Sequence, residues 1–93
     1  MDKNKEIVLL DFWAEWCSPC KRLSLIIDDV VSDFNGMIEM EKINVEDETE
    51  TVEQFGVQNL PTLILLIDRN EVARRSGAIT KESLFKWIES NIQ

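Results

Sequence analysis

Apolar and polar positions alternate along the chain in two distinct rhythms. Ile7 to Phe12 is a continuous apolar run broken only by Asp11, the pattern of a strand buried on both faces. Leu23, Ile26, Ile27, Val30, Val31 and Phe34 then recur at helical spacing. Pro19 suits the first turn of that helix, where a missing N–H is no loss, and Asn35-Gly36 supplies the stop. Ile38 to Val45 predicts a second strand. Residues 38, 40 and 42 share one of its faces, so Lys42 points the same way as Ile38 and Met40. Glu46 to Glu53 is acidic, with Val52 and Phe55 as a short apolar stripe before Gly56, which fits a short helix over about 48–55. Leu63 to Ile67 reads as a buried strand, and Asp68-Arg69-Asn70 as a turn into Glu71–Arg75, making a hairpin. Thr80 is an N-cap candidate for a last helix that turns Leu84, Trp87, Ile88 and Ile92 inward.

The element order is therefore β-α-β-α-β-β-α. Strand–helix–strand crossovers make the first strands parallel, and the tight turn makes the last strand antiparallel to its neighbour. This is an α/β architecture, a small mixed sheet with helices on both faces. No repeat, low-complexity tract or linker divides the sequence, so residues 1–93 are expected to form one domain.

Charge and composition narrow the chemistry. Ten Lys and Arg face eighteen Asp and Glu, for a net charge of −8. That argues against nucleic acid, which calls for a basic face, and against anionic membranes. The chain has no His, which removes Ser-His-Asp and Cys-His nucleophilic sites, His metal centres and His proton shuttles. Two Cys cannot build a four-thiolate zinc site within one chain. At the N-terminus only four apolar residues, Ile7 to Leu10, follow Met1–Glu6 before Asp11. A secretory core needs roughly 7–15 apolar residues and a membrane span about 20. If Met1 is the natural start, the expected compartment is the cytoplasm, where a close Cys pair is more often catalytic or metal-binding than structural.

Cys17-Ser18-Pro19-Cys20 stands at a strand-to-helix junction. A thiolate at a helix N-terminus is stabilised by free backbone N–H groups and the positive end of the helix dipole. Cys17, at the helix edge, gains most from this, and Cys20 lies a turn further in. Because Pro19 has no N–H, the Cys20 amide becomes the donor expected to reach the Cys17 sulfur. The asymmetry assigns Cys17 to attack a substrate disulfide and Cys20 to resolve the mixed disulfide. On spacing alone, half of a zinc site shared across a dimer and two ordinary buried thiols remain alternatives to redox chemistry.

The surrounding residues extend the motif. The stretch from Asp11 to Lys21, DFWAEWCSPCK, closely resembles the active-site segment of thioredoxins, usually WCGPCK at its centre. Leu60-Pro61-Thr62 resembles that family's cis-proline loop, and Arg75-Ser76-Gly77-Ala78 its glycine segment along the substrate groove. The resemblance runs from Ile7 to Gln93 with these segments in the family's order. It implies a thioredoxin-like fold with a thiol–disulfide oxidoreductase activity that reduces protein disulfides. No bound cofactor or metal is expected, since the electrons reside on Cys17 and Cys20, and a thioredoxin-reductase-type flavoprotein would recharge them. The competing reading is a thioredoxin-fold interaction module that binds partners without turnover. The pair of cysteines together with Asp11 speaks against it.

The resemblance also assigns roles. Asp11 corresponds to a buried carboxylate beneath the second cysteine that takes its proton, and burial would lift its pKa toward the working pH. Otherwise it is a strand-end Asp reaching solvent. Lys42 matches the family's buried Lys partner of that carboxylate; otherwise it guards a sheet edge. Pro61 is expected to be cis and to present the Leu60 backbone to a substrate strand. Trp16, Pro19, Leu60, Gly77 and Ala78 would form an apolar docking patch, while Trp13 belongs to the core. Glu46, Asp47, Glu48, Glu50 and Glu53 read as a solvated helix face.

Three departures from the family pattern qualify the resemblance. Ser18 replaces the usual Gly, and its hydroxyl is expected to add a hydrogen bond to the Cys17 thiolate, tuning the couple to be more oxidising. Leu25 replaces a helix-kinking Pro, which implies a straighter first helix. Only six residues precede Ile7, whereas thioredoxins begin with a further strand and helix. A four-stranded sheet of order 2-1-3-4 and a monomer are therefore expected, with the charges of Glu39, Glu41 and Lys42 guarding the edge strand.

Overall fold

A computed structural model of the chain describes residues 5–93. The N-terminal Met1-Asp2-Lys3-Asn4, part of the stretch read as carrying no targeting segment, lies outside them. Strand β1 (Ile7–Trp13) leads into helix α1 (Ser18–Ser32) and strand β2 (Ile38–Asn44). Helix α2 (Thr49–Phe55), strands β3 (Thr62–Ile67) and β4 (Asn70–Ser76), and helix α3 (Lys81–Ile92) follow. These elements match the sequence pattern in number and order.

The sheet has the order β2-β1-β3-β4, as expected. β1 is parallel to β2, with Asp11 opposite Lys42, and β4 is antiparallel to β3. The strand–helix–strand rule does not extend to β3, which runs antiparallel to β1. The two helical connections differ in length and path. α1, at 15 residues, spans about 22 Å, matching the roughly 23 Å of a seven-residue strand. It therefore carries the chain back to the start of a parallel neighbour. α2 has only seven residues and rises about 10 Å. The chain re-enters the sheet at the end it left, with Thr62 opposite Phe12.

β1 lies between β2 and β3 and is buried on both faces. Its Ile7 and Leu9 pack with Leu23, Ile27 and Val30 of α1 and with Leu84 and Ile88 of α3. Val8, Leu10 and Phe12 pack on the other face with Ile43, Ile64 and the apolar stripe of α2, including Val52 and Phe55. α3 starts at Thr80, whose hydroxyl accepts from the Ser83 N–H at 3.1 Å. This satisfies one of the helix's free donors. α2 ends at Gly56 with φ of +64°, a left-handed cap that suits glycine. Both helical layers grip the sheet and leave the Trp13 end of β1 free for the loop that carries the cysteines.

Candidate active site

The loop from β1 to α1 is short and internally bonded. The Cys17 N–H donates to the Ala14 carbonyl at 3.1 Å, turning the chain so that Cys17 becomes the N-cap of α1. The Cys20 N–H donates to the Cys17 sulfur at 3.3 Å, the bond expected from Pro19's missing donor. No acidic residue occupies the first turn, so no side-chain carboxylate there competes for the positive end of the helix. Cys17 and Cys20 form a disulfide, their Cα atoms 5.3 Å apart. One helical turn supplies this spacing, so the pair can bond without moving the backbone. Both sulfur-bearing residues are buried against Ala14, with Trp13 and Leu60 packed around them. Ser18 and Pro19 beside them are exposed.

Two distant segments close around this disulfide. The Leu60–Pro61 peptide bond is cis, and Leu60 packs on the cysteine cluster. The Gly77 N–H donates to the Pro61 carbonyl at 3.0 Å, joining the two loops. Gly77 has φ of +89°, a conformation that L side chains adopt only at a cost. Ala78 lines a groove of about 140 Å³ together with Pro19. Trp16 is 67% exposed at the rim, and its indole N–H donates to Glu46 at 3.0 Å. Trp16, Pro19, Leu60, Pro61, Gly77 and Ala78 thus lie on segments that meet at one end of the molecule.

Asp11 sits inside β1 at 1% exposure, not at a solvent-reaching strand end. It shares a cavity of about 230 Å³ with Cys20, Trp13, Ser24 and Lys42. Neither carboxylate oxygen has a hydrogen-bond partner among the described residues. Burial therefore lifts the Asp11 pKa from 3.8 to about 6; the Lys42 charge opposes the rise and Asp28 adds to it. Lys42 itself departs from the sequence expectation of a buried partner. Its side chain is 41% exposed and lies 3.8 Å from Asp28, and its ammonium donates to the Ser24 hydroxyl at 2.8 Å. A long, flexible stem lets the charged head leave the apolar face and reach water.

Ser24 and Asp28 were not singled out by the sequence, and the contact made by Glu46 was not foreseen. Glu46 belonged to an acidic run read as a solvated helix face, but it precedes α2 and holds the Trp16 indole. No local pattern signals a contact across thirty positions. Ser24 and Asp28 are separated by one helical turn on α1, which puts them on one face; that spacing is their only trace in the sequence.

Comparison with known proteins is consistent along the chain. The thioredoxin family model matches residues 1–90. A thioredoxin of Haemophilus influenzae is 41% identical over 90 residues, covering 96% of this chain and 84% of its own length. A thioredoxin of Pseudomonas aeruginosa is 39% identical over 85 residues, covering 91% of this chain and 79% of its own. Among solved structures, a mutant thioredoxin from Halobacterium salinarum NRC-1 superposes with a TM-score of 0.85 at 30% identity. That match covers 95% of this chain and 76% of the other. With the disulfide at a helix N-terminus, the cis-proline loop beside it and relatives of this similarity, the chain belongs to the thioredoxin family.

Proposed function

We propose that Cys17 is the attacking thiolate, Cys20 the resolving thiol and Asp11 the acceptor of the Cys20 proton. The chain is a thiol–disulfide oxidoreductase that reduces disulfides in proteins. The observation that carries the assignment is the Cys17–Cys20 disulfide at the N-terminus of α1, with the Cys20 amide on the Cys17 sulfur.

In the reduced protein the Cys17 thiolate attacks one sulfur of a substrate disulfide. The Cys17–substrate bond forms, the substrate bond breaks, and the departing sulfur leaves as a thiolate that takes a proton from water. Cys20 then gives its proton to the Asp11 carboxylate and attacks the Cys17 sulfur. The second substrate thiolate is released, and the two electrons gained by the substrate have come from the Cys17–Cys20 pair. A base is matched to this task when its pKa lies near the working pH, and burial moves Asp11 in that direction. Lys42 moderates the rise. Trp16, Pro19, Leu60, Pro61, Gly77 and Ala78 receive the substrate strand, and Ser18 tunes the redox poise. Residues 1–93 act as one domain, monomeric, in the cytoplasm, and a thioredoxin-reductase-type flavoprotein returns the electrons. Among the described residues no helix is long and apolar enough to cross a membrane.

Turnover of insulin disulfides with dithiothreitol tests the assignment. The native chain is expected to accelerate reduction, and Cys17→Ser to abolish it. Cys20→Ser is expected to accumulate mixed disulfides through Cys17. Equal activity of Cys17→Ser and the native chain would remove Cys17 from its role.

A further inference from the structure

The side chains around Asp11 show a polar arrangement that the exchange reaction alone does not require. In the sheet Lys42 lies directly opposite Asp11, where its ammonium is within reach of the buried carboxylate. It bonds elsewhere: to the Ser24 hydroxyl at 2.8 Å, with the Asp28 carboxylate at 3.8 Å. Ser24 and Asp28 present their side chains one turn apart along α1. Ser24, Lys42 and Asp11 all border the same cavity of about 230 Å³.

We propose that Ser24 is a positioning residue for proton transfer, holding the Lys42 ammonium at the outer wall of the cavity beside Asp28. The carboxylate of Asp11 is thereby left without a direct cationic partner. The Lys42–Asp28 contact is solvent-exposed on both sides, and exposed pairs of this kind hold a side chain weakly. The Ser24 hydroxyl is the shorter and less mobile anchor, placed by the helix backbone. An ammonium released from it can turn along the cavity toward Asp11, and a cation within about 4–6 Å lowers a carboxyl pKa by 1–3 units.

The charged and titratable groups facing Asp11 come from two elements. Lys42 stands on β2, while Cys20, Lys21 and Asp28 stand on α1. On the β3 side its register partner is the apolar Leu63. Arg75, opposite Leu63 on β4, lies over the Trp87 ring of α3. Lys21 pairs with Glu15 at 3.6 Å, and Lys42 is the cation whose charge acts on Asp11. With Lys42 held at the outer wall of the cavity, burial remains the larger influence on Asp11 and the Lys42 charge only moderates it.

This inference rests on the reading of Asp11 as proton acceptor, and the test separates the two. The Asp11 side-chain carboxyl is titrated by carbon-13 NMR in the oxidised protein, beside the pH profile of insulin reduction. Ser24→Ala is expected to lower the Asp11 midpoint by about one pH unit, and Ser24→Thr, which keeps a hydroxyl, to restore it. In a Lys42→Met background, Ser24→Ala is expected to leave the midpoint where Lys42→Met alone puts it. A midpoint that Ser24→Ala does not move, or that moves equally with and without Lys42, overturns the positioning role. A midpoint that moves while the acid limb of the turnover profile stays fixed overturns the assignment of Asp11 instead.

Discussion

Asp11 is a residue the fold carries at a cost. Its carboxyl pKa is raised from 3.8 to about 6 in the folded chain, chiefly by burial. Between those values the native state binds more proton than the unfolded state, so stability falls as pH rises through this window. Above about pH 6 the full cost is present, on the order of 2–3 kcal/mol for a displacement of about two units. Asp11→Asn is therefore expected to stabilise the oxidised protein by about that amount at pH 7, with the gain vanishing below about pH 4. Urea unfolding at the two pH values measures it. The same variant is expected to reduce disulfides about 10²-fold more slowly, the usual scale of a lost general base. Ser18 yields a second prediction at this level. The hydrogen bond expected from the Ser18 hydroxyl to the Cys17 thiolate would stabilise the reduced form, so Ser18→Gly is expected to lower the reduction potential by about 20–30 mV. An equal or higher potential in a glutathione titration would contradict it. Asp11 was legible because a carboxylate inside an apolar run is conspicuous. The position of the Lys42 head was not, because the sheet register sets only its Cα, and four rotatable bonds decide where the charge goes.

The elements show where periodicity suffices and where it does not. α1 and β1 were readable because each repeats its own apolar spacing over enough residues to define a face. The hairpin was readable from its polar turn, yet its sequence is not the one its geometry prefers. Asp68 and Arg69 have φ of +52° and +71°, the left-handed pair of a two-residue type I′ turn, where Asp-Gly is favoured. Arg69 holds this conformation against its own Cβ. Its ion pair with Glu6, at 3.8 Å and largely exposed, offsets little. Arg69→Gly is accordingly expected to raise stability by about 0.5–1 kcal/mol without changing turnover. A lower denaturation midpoint would show that the turn is not strained at Arg69. The direction of β3 was not readable from patterning, since an apolar run reads alike in both directions. The path of the chain from β2 through α2 decided it, returning to the end of the sheet it had left.

Taken whole, the molecule is a sheet with apolar layers on both faces and its chemistry at the Trp13 end of β1. Among the described residues β2 is an edge strand. Glu39, Glu41 and Lys42 on it are exposed, and charges in such positions oppose strand-to-strand pairing with a second copy. A net charge of −8 adds mutual repulsion between copies. Sedimentation at micromolar concentrations is expected to give the mass of one chain, and a concentration-dependent shift toward dimer would overturn this. By itself the sequence specified the seven elements, the order of the sheet, the family, and the cysteine pair at a helix N-terminus. Each of these depends on residues close together in the chain or on motifs in a fixed order. Only the tertiary structure decided that β3 runs antiparallel to β1, that Glu46 holds Trp16, and that Lys42 turns to Ser24 and Asp28. Those outcomes depend on the path of the backbone between distant segments and on where long side chains find partners, and neither leaves a periodic trace.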